Sequence, residues 1–427
     1  MKLPVSFERW LVFLLSISGI LLYKPPVYDI LLSVTMLYWF IVKGPGIRTW
    51  SLAPCLFLTV YVGFYWLSIT RSANLEGSLW YAGLTTFCAL MWLFYTNLLA
   101  RYGMPAFHAI MRGYAITSVI GVVFGFVVYV TQFSGREHFL YNDRPKGLFV
   151  DANVFGPSLV VVLLYSFCRI ITGTKRRWLW TSVAVLMSAG VFMSFSRGAW
   201  VNAAASIGIF LLLLILSTRS ASYLFKRLAV LGLGIGLCVG CLYFAFSDKN
   251  EFADVARSRS KLQNYDQERF ASHDNALEVL SDHPWLGIGP AQYVETFHIA
   301  THSLPLHILA ENGIAAALGL GLFLLLTIAR SSMGIRRSGT EEGRVYFCAL
   351  TALLIATMVN SAVIDTLHWR HFWLLCALAW MPAKQQAATA RKRAIQHLAS
   401  LIAIHGAAIH GAAIQGARPA LIQEPSL

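Results

Sequence analysis

One histidine, two arginines and one carboxylate stand where an apolar chain could use them for chemistry. His302 lies in "THSLPLHILAENG", just ahead of an apolar run. A histidine has an ordinary pKa of about 6.5, which suits proton removal near neutral pH. Arg197 lies in "FSRGAW", a turn so short that its guanidinium must sit close to the apolar runs on either side. Arg269 opens a predicted helix over 266–281. A desolvated arginine needs an anionic partner, and its planar fork fits carboxylate or phosphate oxygens. Asp365 is one protein candidate for pairing with Arg197, and a lipid phosphate is the other. Arg136, Arg144 and Lys146 add cations in another short loop, and His368, Arg370 and His371 follow Asp365. Each residue also has a plainer use. A histidine at a helix start is commonly a cap or a surface group, and His298 and His307 are local competitors for the role of base. An arginine at a membrane face is commonly solvated or bound to a head group.

Other chemistries have no footing in the sequence. There is no HExxH, no GxxxxGK[ST], no GxSxG and no kinase set. Two of the loops on the face that carries these cations hold a single acid each, Asp29 and Glu76, so no acidic pair is present there to hold a divalent metal. No cofactor and no metal ligand set is expected. The seven cysteines all lie in apolar runs, which implies no disulfide framework, and the Cys238–Cys241 CxxC reads as small residues on a helix-packing face.

The elements that must position the polar residues are membrane helices. Of the 427 residues 57% are hydrophobic and only 13% are charged, against about 25% charged in a soluble domain. Apolar runs predict twelve spans, at 10–23, 27–42, 52–69, 79–99, 108–131, 150–171, 178–194, 199–217, 228–246, 304–328, 345–363 and 372–381. The expected fold is an all-α polytopic membrane protein. Its organisation is nine transmembrane helices over 1–247, a polar loop over 248–303 carrying the reactive residues, three further helices over 304–383, and a low-complexity tail over 384–427. The first helix reads as a retained span rather than a cleaved leader. The tail repeats Ile-His-Gly-Ala-Ala with a period of five, which fits neither helix nor strand, and reads as dispensable.

Alternate loops divide by charge. Most of the 34 Lys and Arg residues fall in one set of loops, with four acids, Glu8, Glu341, Glu342 and Glu424. The positive-inside rule makes that set cytoplasmic, with both termini on the same side and the polar loop outside. The net charge of +14 is therefore a topology signal, and nucleic acid is dropped as a partner. Within the loop, 266–281 and 291–299 read as short helices around the turn "HPWLGIGP", an ordered cap on the membrane surface.

These stretches resemble the O-antigen ligase and polymerase superfamily of bacterial envelope enzymes. "ERFASHDNALEVLSDHPWLGIGPAQY" is similar to its loop helix and Pro–Gly turn, and "HSLPLHILAENG" to its ligase-type pattern of His, a small polar residue, nine residues and Gly. "MSFSRGAW" resembles its Ser-Arg-Gly turn, and "RPKGLFVDANVFG" the segment that opens span six. Ser303 stands where many members have Asn. The resemblance implies a GT-C-like layout in the bacterial inner membrane. It also implies a glycan donor on undecaprenyl pyrophosphate, and lipid A–core oligosaccharide as the periplasmic acceptor. Arg197 and Arg269 would then bind the pyrophosphate and His302 would activate the acceptor hydroxyl, with Arg136, Arg144, Lys146 and Asp365 in support. The near rival is an O-antigen polymerase, which uses the same donor but a second lipid-linked glycan as acceptor; the His–Ser–x9–Gly match favours the ligase, and a protein oligosaccharyltransferase is a third member of the set. A polysaccharide transporter is the rival from another class, but transporters gather ionisable residues at the bilayer midplane rather than at one face.

Overall fold

The computed structural model describes residues 3–23, 25–46, 51–131, 133–173, 175–217 and 264–383, with isolated positions at 229, 232, 236 and 240. Apart from those positions the predicted ninth span, together with the Cys238–Cys241 pair, residues 248–263 of the polar loop and the C-terminal tail, lies outside the described residues.

The helices are α1 (Val5–Ser16), α2 (Val27–Lys43), α3 (Leu52–Ser68, extended by a 3-10 turn to Arg71), α4 (Leu75–Tyr102) and α5 (Met104–Val130). After a two-residue-per-strand hairpin, β1 (Leu140–Tyr141) and β2 (Arg144–Pro145), come α6 (Ala152–Ile171), α7 (Arg177–Met193) and α8 (Arg197–Ser217). Beyond the undescribed stretch follow α9 (Asn264–Asp282), α10 (Gln292–Phe297), α11 (Leu304–Arg337), α12 (Glu341–Ser361) and α13 (Arg370–Leu378). Among the described residues seven helices are long and apolar enough to cross a membrane: α3 with its extension, α4, α5, α6, α8, α11 and α12. The protein is an all-α polytopic membrane protein. In lipid each backbone group must be satisfied within its own segment, which leaves helix as the spanning form for these runs.

Local chemistry sets several helix ends. Asn74 Oδ1 accepts from Gly77 N at 3.1 Å, Asp151 Oδ1 from Asn153 N at 2.7 Å and Thr340 Oγ1 from Gly343 N at 3.1 Å, each capping a first turn. Pro105 and Pro305 sit in first turns, where a missing N–H costs nothing. α6 is the inner helix, buried along nearly its whole length and flanked by α7 and α8, while α11 packs along α3 and α12 along α8.

Eleven of the twelve predicted runs coincide with helices, with one shift of position at the first. α1 stops at Ser16 rather than continuing to 23. Past that point the backbone is held from outside the helix: Gly19 N donates to Thr117 Oγ1 at 3.0 Å and Leu21 N to the Leu148 carbonyl at 2.9 Å.

The longest helix is broken. Inside α11, Gly313 has φ 78 and ψ −179, a conformation essentially reserved for glycine. The turn Pro284–Pro290 fills the break. Ile314 N donates to the Pro284 carbonyl at 2.8 Å, while Ile288 N and Gly289 N donate to the Ala310 and Glu311 carbonyls, both at 3.0 Å. The backbone groups that the break would orphan are thus satisfied by the loop. α9 and α10 close over this junction. Ala276, Val279, Tyr293 and Ala310 form a small separate core, and the Tyr293 hydroxyl donates to the Ser272 carbonyl at 2.5 Å. The cap is also tied to the start of α4. Ala73 N donates to Gln292 Oε1 at 3.0 Å, Asn74 Nδ2 to Glu295 Oε1 at 2.6 Å and Ser78 Oγ to the Pro290 carbonyl at 2.7 Å.

Candidate active site

His302 is the last residue before the N-cap of α11 and has φ 48, in the left-handed region that a histidine seldom occupies. Strain of this kind is held only where the surroundings fix it, and it aims the ring from the cap–helix junction. Burial pushes His302 down to about 4, and Arg269 and His273 push the same way, while Asp365 pulls up. At neutral pH the ring is therefore neutral, with a nitrogen lone pair available. This differs from the ordinary value expected from sequence, because an exposed histidine was the reference there. Arg269, half-buried on α9, and Asp365, between α12 and α13, both act on the His302 ring, so the structure brings these three predicted residues together.

Asp365 is bound to His307. His307 Nδ1 lies 2.9 Å from Asp365 Oδ2, and His307 Nε2 lies 3.2 Å from Glu311 Oε2, one turn further along α11. Burial alone would push the Asp365 carboxyl up, but His307 outweighs it and, with His368 and the Leu367 N–H, holds it well below the usual carboxylate range. Glu311 is only 2% exposed and also accepts from Ala291 N at 2.7 Å and Tyr293 N at 3.0 Å, at the start of α10. One carboxylate thus joins the cap to α11, and one histidine joins α11 to the Asp365 loop.

Arg197 is the first residue of α8 and is half-buried. Its turn is built tightly. Phe195 has φ 47, Ala199 N donates to Ser196 Oγ at 3.3 Å, and Gly198 packs against Asn360 at the end of α12, where a Cβ would lie 2.8 Å from Asn360 Oδ1. Arg144 fastens the β-hairpin to this turn, donating to the Phe195 carbonyl at 3.4 Å and to Asn153 Oδ1 at 3.2 Å. It is buried, with its guanidinium 5.2 Å from the Tyr141 ring centre, so it is a structural clamp beside the site. The charge of Arg269 is also felt by Asp151 and Tyr141 next to that clamp. Burial raises Asp151 above the usual carboxylate range despite both arginines. Arg136 opens the 3-10 turn before the hairpin and Lys146 follows it; among the described residues neither forms an ion pair with the His302 group.

In the sequence His307 stands only as a competitor to His302, and nothing marks Glu311. The spacing of His307 and Glu311, four residues apart on one helix face, was visible. Asp29 was read as an isolated acid, yet it pairs with Arg370, Nη2 to Oδ2 at 2.5 Å and Nε to Oδ1 at 3.3 Å. No spacing rule reaches across that much chain.

The fold and this group of residues define a multi-pass membrane protein with a neutral histidine, arginines and buried carboxylates gathered under a helical cap at one end of the bundle. A family model described as O-antigen ligase matches residues 182–321, the stretch from α7 through the cap to the Gly313 break and beyond. That match, over about a third of the chain, supports the O-antigen ligase/polymerase superfamily, whose members are glycosyltransferase-like enzymes. No curated protein matches the chain.

Proposed function

We propose that the protein is an O-antigen ligase of the bacterial inner membrane. It transfers a glycan from undecaprenyl pyrophosphate to lipid A–core oligosaccharide, with both termini cytoplasmic and the cap in the periplasm. The observation that carries this reading is His302, held at φ 48 ahead of α11 and acted on by the charges of Arg269 and Asp365, in the stretch 182–321 that matches the family and that also holds Arg197 and Arg269.

The residues divide the work simply. His302 takes the proton from the acceptor hydroxyl. That oxygen forms a bond to the anomeric carbon as the bond from carbon to the phosphate oxygen breaks. The pyrophosphate leaves with the electron pair, and Arg197 and Arg269 meet its growing negative charge; fixed cations in a water-poor site are worth far more than in water. Pyrophosphate is a good leaving group, so no nucleotide is needed. Base and leaving group on opposite sides of the anomeric carbon give a single displacement with inversion. As His302 becomes cationic, Asp365 steadies it. Low basicity costs driving force for proton removal, and an arriving pyrophosphate offsets this by cancelling the Arg269 charge and raising the histidine.

The test is lipopolysaccharide from a strain lacking this protein, resolved on gels. A ligase predicts loss of every ladder band with lipid-linked polymer accumulating. One repeat unit retained on the core would instead mean a polymerase, and a normal ladder would reject both.

A further inference from the structure

The end of α11 farthest from His302 carries an arginine that no carboxylate answers. Arg330 is half-buried, with its guanidinium carbon 6.0 Å from the Trp380 ring centre. Trp380 is itself buried and fixed, its Nε1 donating to Thr327 Oγ1 at 3.1 Å, so the guanidinium rests against an immobile ring. Arg337 follows seven residues later on the same helix face, and its charge is felt at Arg330. Among the described residues neither arginine forms an ion pair. The acids at this end are engaged elsewhere. Glu8 pairs with Arg112, Glu341 Oε2 lies 3.1 Å from Arg344 Nη1, and Glu342 Oε1 lies 3.5 Å from His108 Nε2. The sequence beyond Ala383 adds Lys384, Arg391, Lys392, Arg393 and Arg418 against a single acid, Glu424. Two like charges held near each other, one of them half-buried, call for an anion.

Arg330 also stands where lipid reaches it. α11 turns an exposed apolar stripe outward through Leu318, Leu322 and Leu325, and Ala329 and Met333 continue it. Arg330 lies at the edge of that stripe, between it and the buried Thr327 and Ser331. Depth agrees. The turn that fills the Gly313 break carries Trp285, 70% exposed, which suits the lipid boundary at the cap end. At about 1.5 Å per residue, Arg330 lies about 24 Å along the helix from Ile314 and Arg337 about 35 Å. A hydrocarbon core is about 30 Å thick, so the two arginines bracket the opposite boundary, where phospholipid phosphates lie.

We propose that Arg330 and Arg337, with Trp380, form a binding site for one anionic phospholipid of the leaflet opposite the cap, which is the cytoplasmic leaflet in the topology proposed above. The phosphodiester lies between the two guanidinium groups, whose planar forks fit its oxygens, and the acyl chains run along Leu325 and Leu322. A zwitterionic phospholipid brings the same phosphate with a cation attached, which the arginine pair repels, so the site selects net negative charge. It shares no residue with the His302 group and holds whether the protein is a ligase or a polymerase.

Delipidated, detergent-purified protein is titrated with phosphatidylglycerol, with phosphatidylethanolamine or with inorganic phosphate, and bound ligand is read by native mass spectrometry. Wild type should bind one phosphatidylglycerol about tenfold more tightly than phosphatidylethanolamine. Arg337→Gln should weaken phosphatidylglycerol about fivefold, the weight of one boundary arginine, and Arg330→Gln about tenfold, with phosphatidylethanolamine unchanged in both. Arg336→Gln removes the same charge from an exposed position on another face of α11 and should match wild type. Arg337 is exposed, so its variant tests the site even where a change at Arg330 disturbs packing on Trp380. Phosphatidylglycerol binding that is unchanged in Arg330→Gln and Arg337→Gln overturns the proposal, and so does an equal loss in Arg336→Gln, which would mean attraction to net charge alone. Equal binding of the two lipids overturns the selection for negative charge. Inorganic phosphate that displaces phosphatidylglycerol at equal concentration would make this a free-anion site and overturn the lipid assignment.

Discussion

Gly313→Ala addresses the junction on which the whole site depends. The native φ of 78 with ψ near 180 is strained for any residue with a Cβ, by about 1–3 kcal/mol. Space makes it worse. A Cβ at Gly313 would lie 2.2 Å from the Trp285 carbonyl oxygen, 2.3 Å from its carbon and 2.7 Å from Leu286 N. All three are backbone atoms, which cannot rotate aside as a side-chain tip can. The turn would have to withdraw and loosen the bonds from Ile314 N, Ile288 N and Gly289 N, each worth about 0.5–1.5 kcal/mol net. Together the loss is on the order of 4 kcal/mol. Thermal unfolding of the detergent-purified protein measures it, with Gly321→Ala as the control. Gly321 lies on the same helix with nothing within 4 Å of a Cβ, so alanine there should be neutral or gain up to about 1 kcal/mol. Gly313→Ala should melt well below both, and transfer should fall with it because Glu311 and the cap turn are anchored to the same break. A Gly313→Ala protein melting within about 1 °C of wild type would refute the account of the broken helix.

The remaining predictions concern the charged groups. Arg197→Lys and Arg269→Lys should each lose most transfer while still reaching the membrane, because lysine lacks the bidentate fork; full activity in both would reduce these residues to surface anchors. His302→Gln should lose about 10²–10⁴-fold in transfer yet still bind donor, and activity within a few fold of wild type would remove the base role. The pH profile has a definite sign: His302 must be neutral, so kcat/KM should hold as pH falls from 7 and drop only near pH 4. The acid limb of kcat should lie higher, since bound pyrophosphate raises the histidine; an acid limb of kcat/KM at an ordinary histidine value would contradict the burial argument. His307→Leu strips both Glu311 and Asp365 of their shared partner, and breaking a buried pair costs about 3–5 kcal/mol. His307→Gln, able to donate to one carboxylate, should melt between that variant and wild type; equal melting of all three would show that the bridge is not stabilising.

Local physics is why so much could be read early. Apolar runs long enough to span a bilayer leave the backbone one way to satisfy its own polar groups, so the helices were legible from composition alone. The two short cap helices were also legible, because their apolar periodicity and the following Pro284 are local signals. So were Arg197, Arg269, His302 and Asp365 as candidates, since ionisable residues in short loops of an apolar chain need a reason. Their partners were not legible. The pairing of Asp365 with His307, of Asp29 with Arg370 and of Arg144 with the Phe195 carbonyl joins residues whose spacing follows no helical or strand period. Gly313 could be seen in the motif, but its purpose could not, because the turn that fills the break arrives from another part of the chain. The low basicity of His302 is tertiary for the same reason: desolvation and the field of Arg269 exist only once the cap has closed over α11. The sequence by itself determined that polar residues would gather at one end of a helical bundle. Which of them touch, and hence which carries the proton and which only holds another in place, was decided by packing between distant segments.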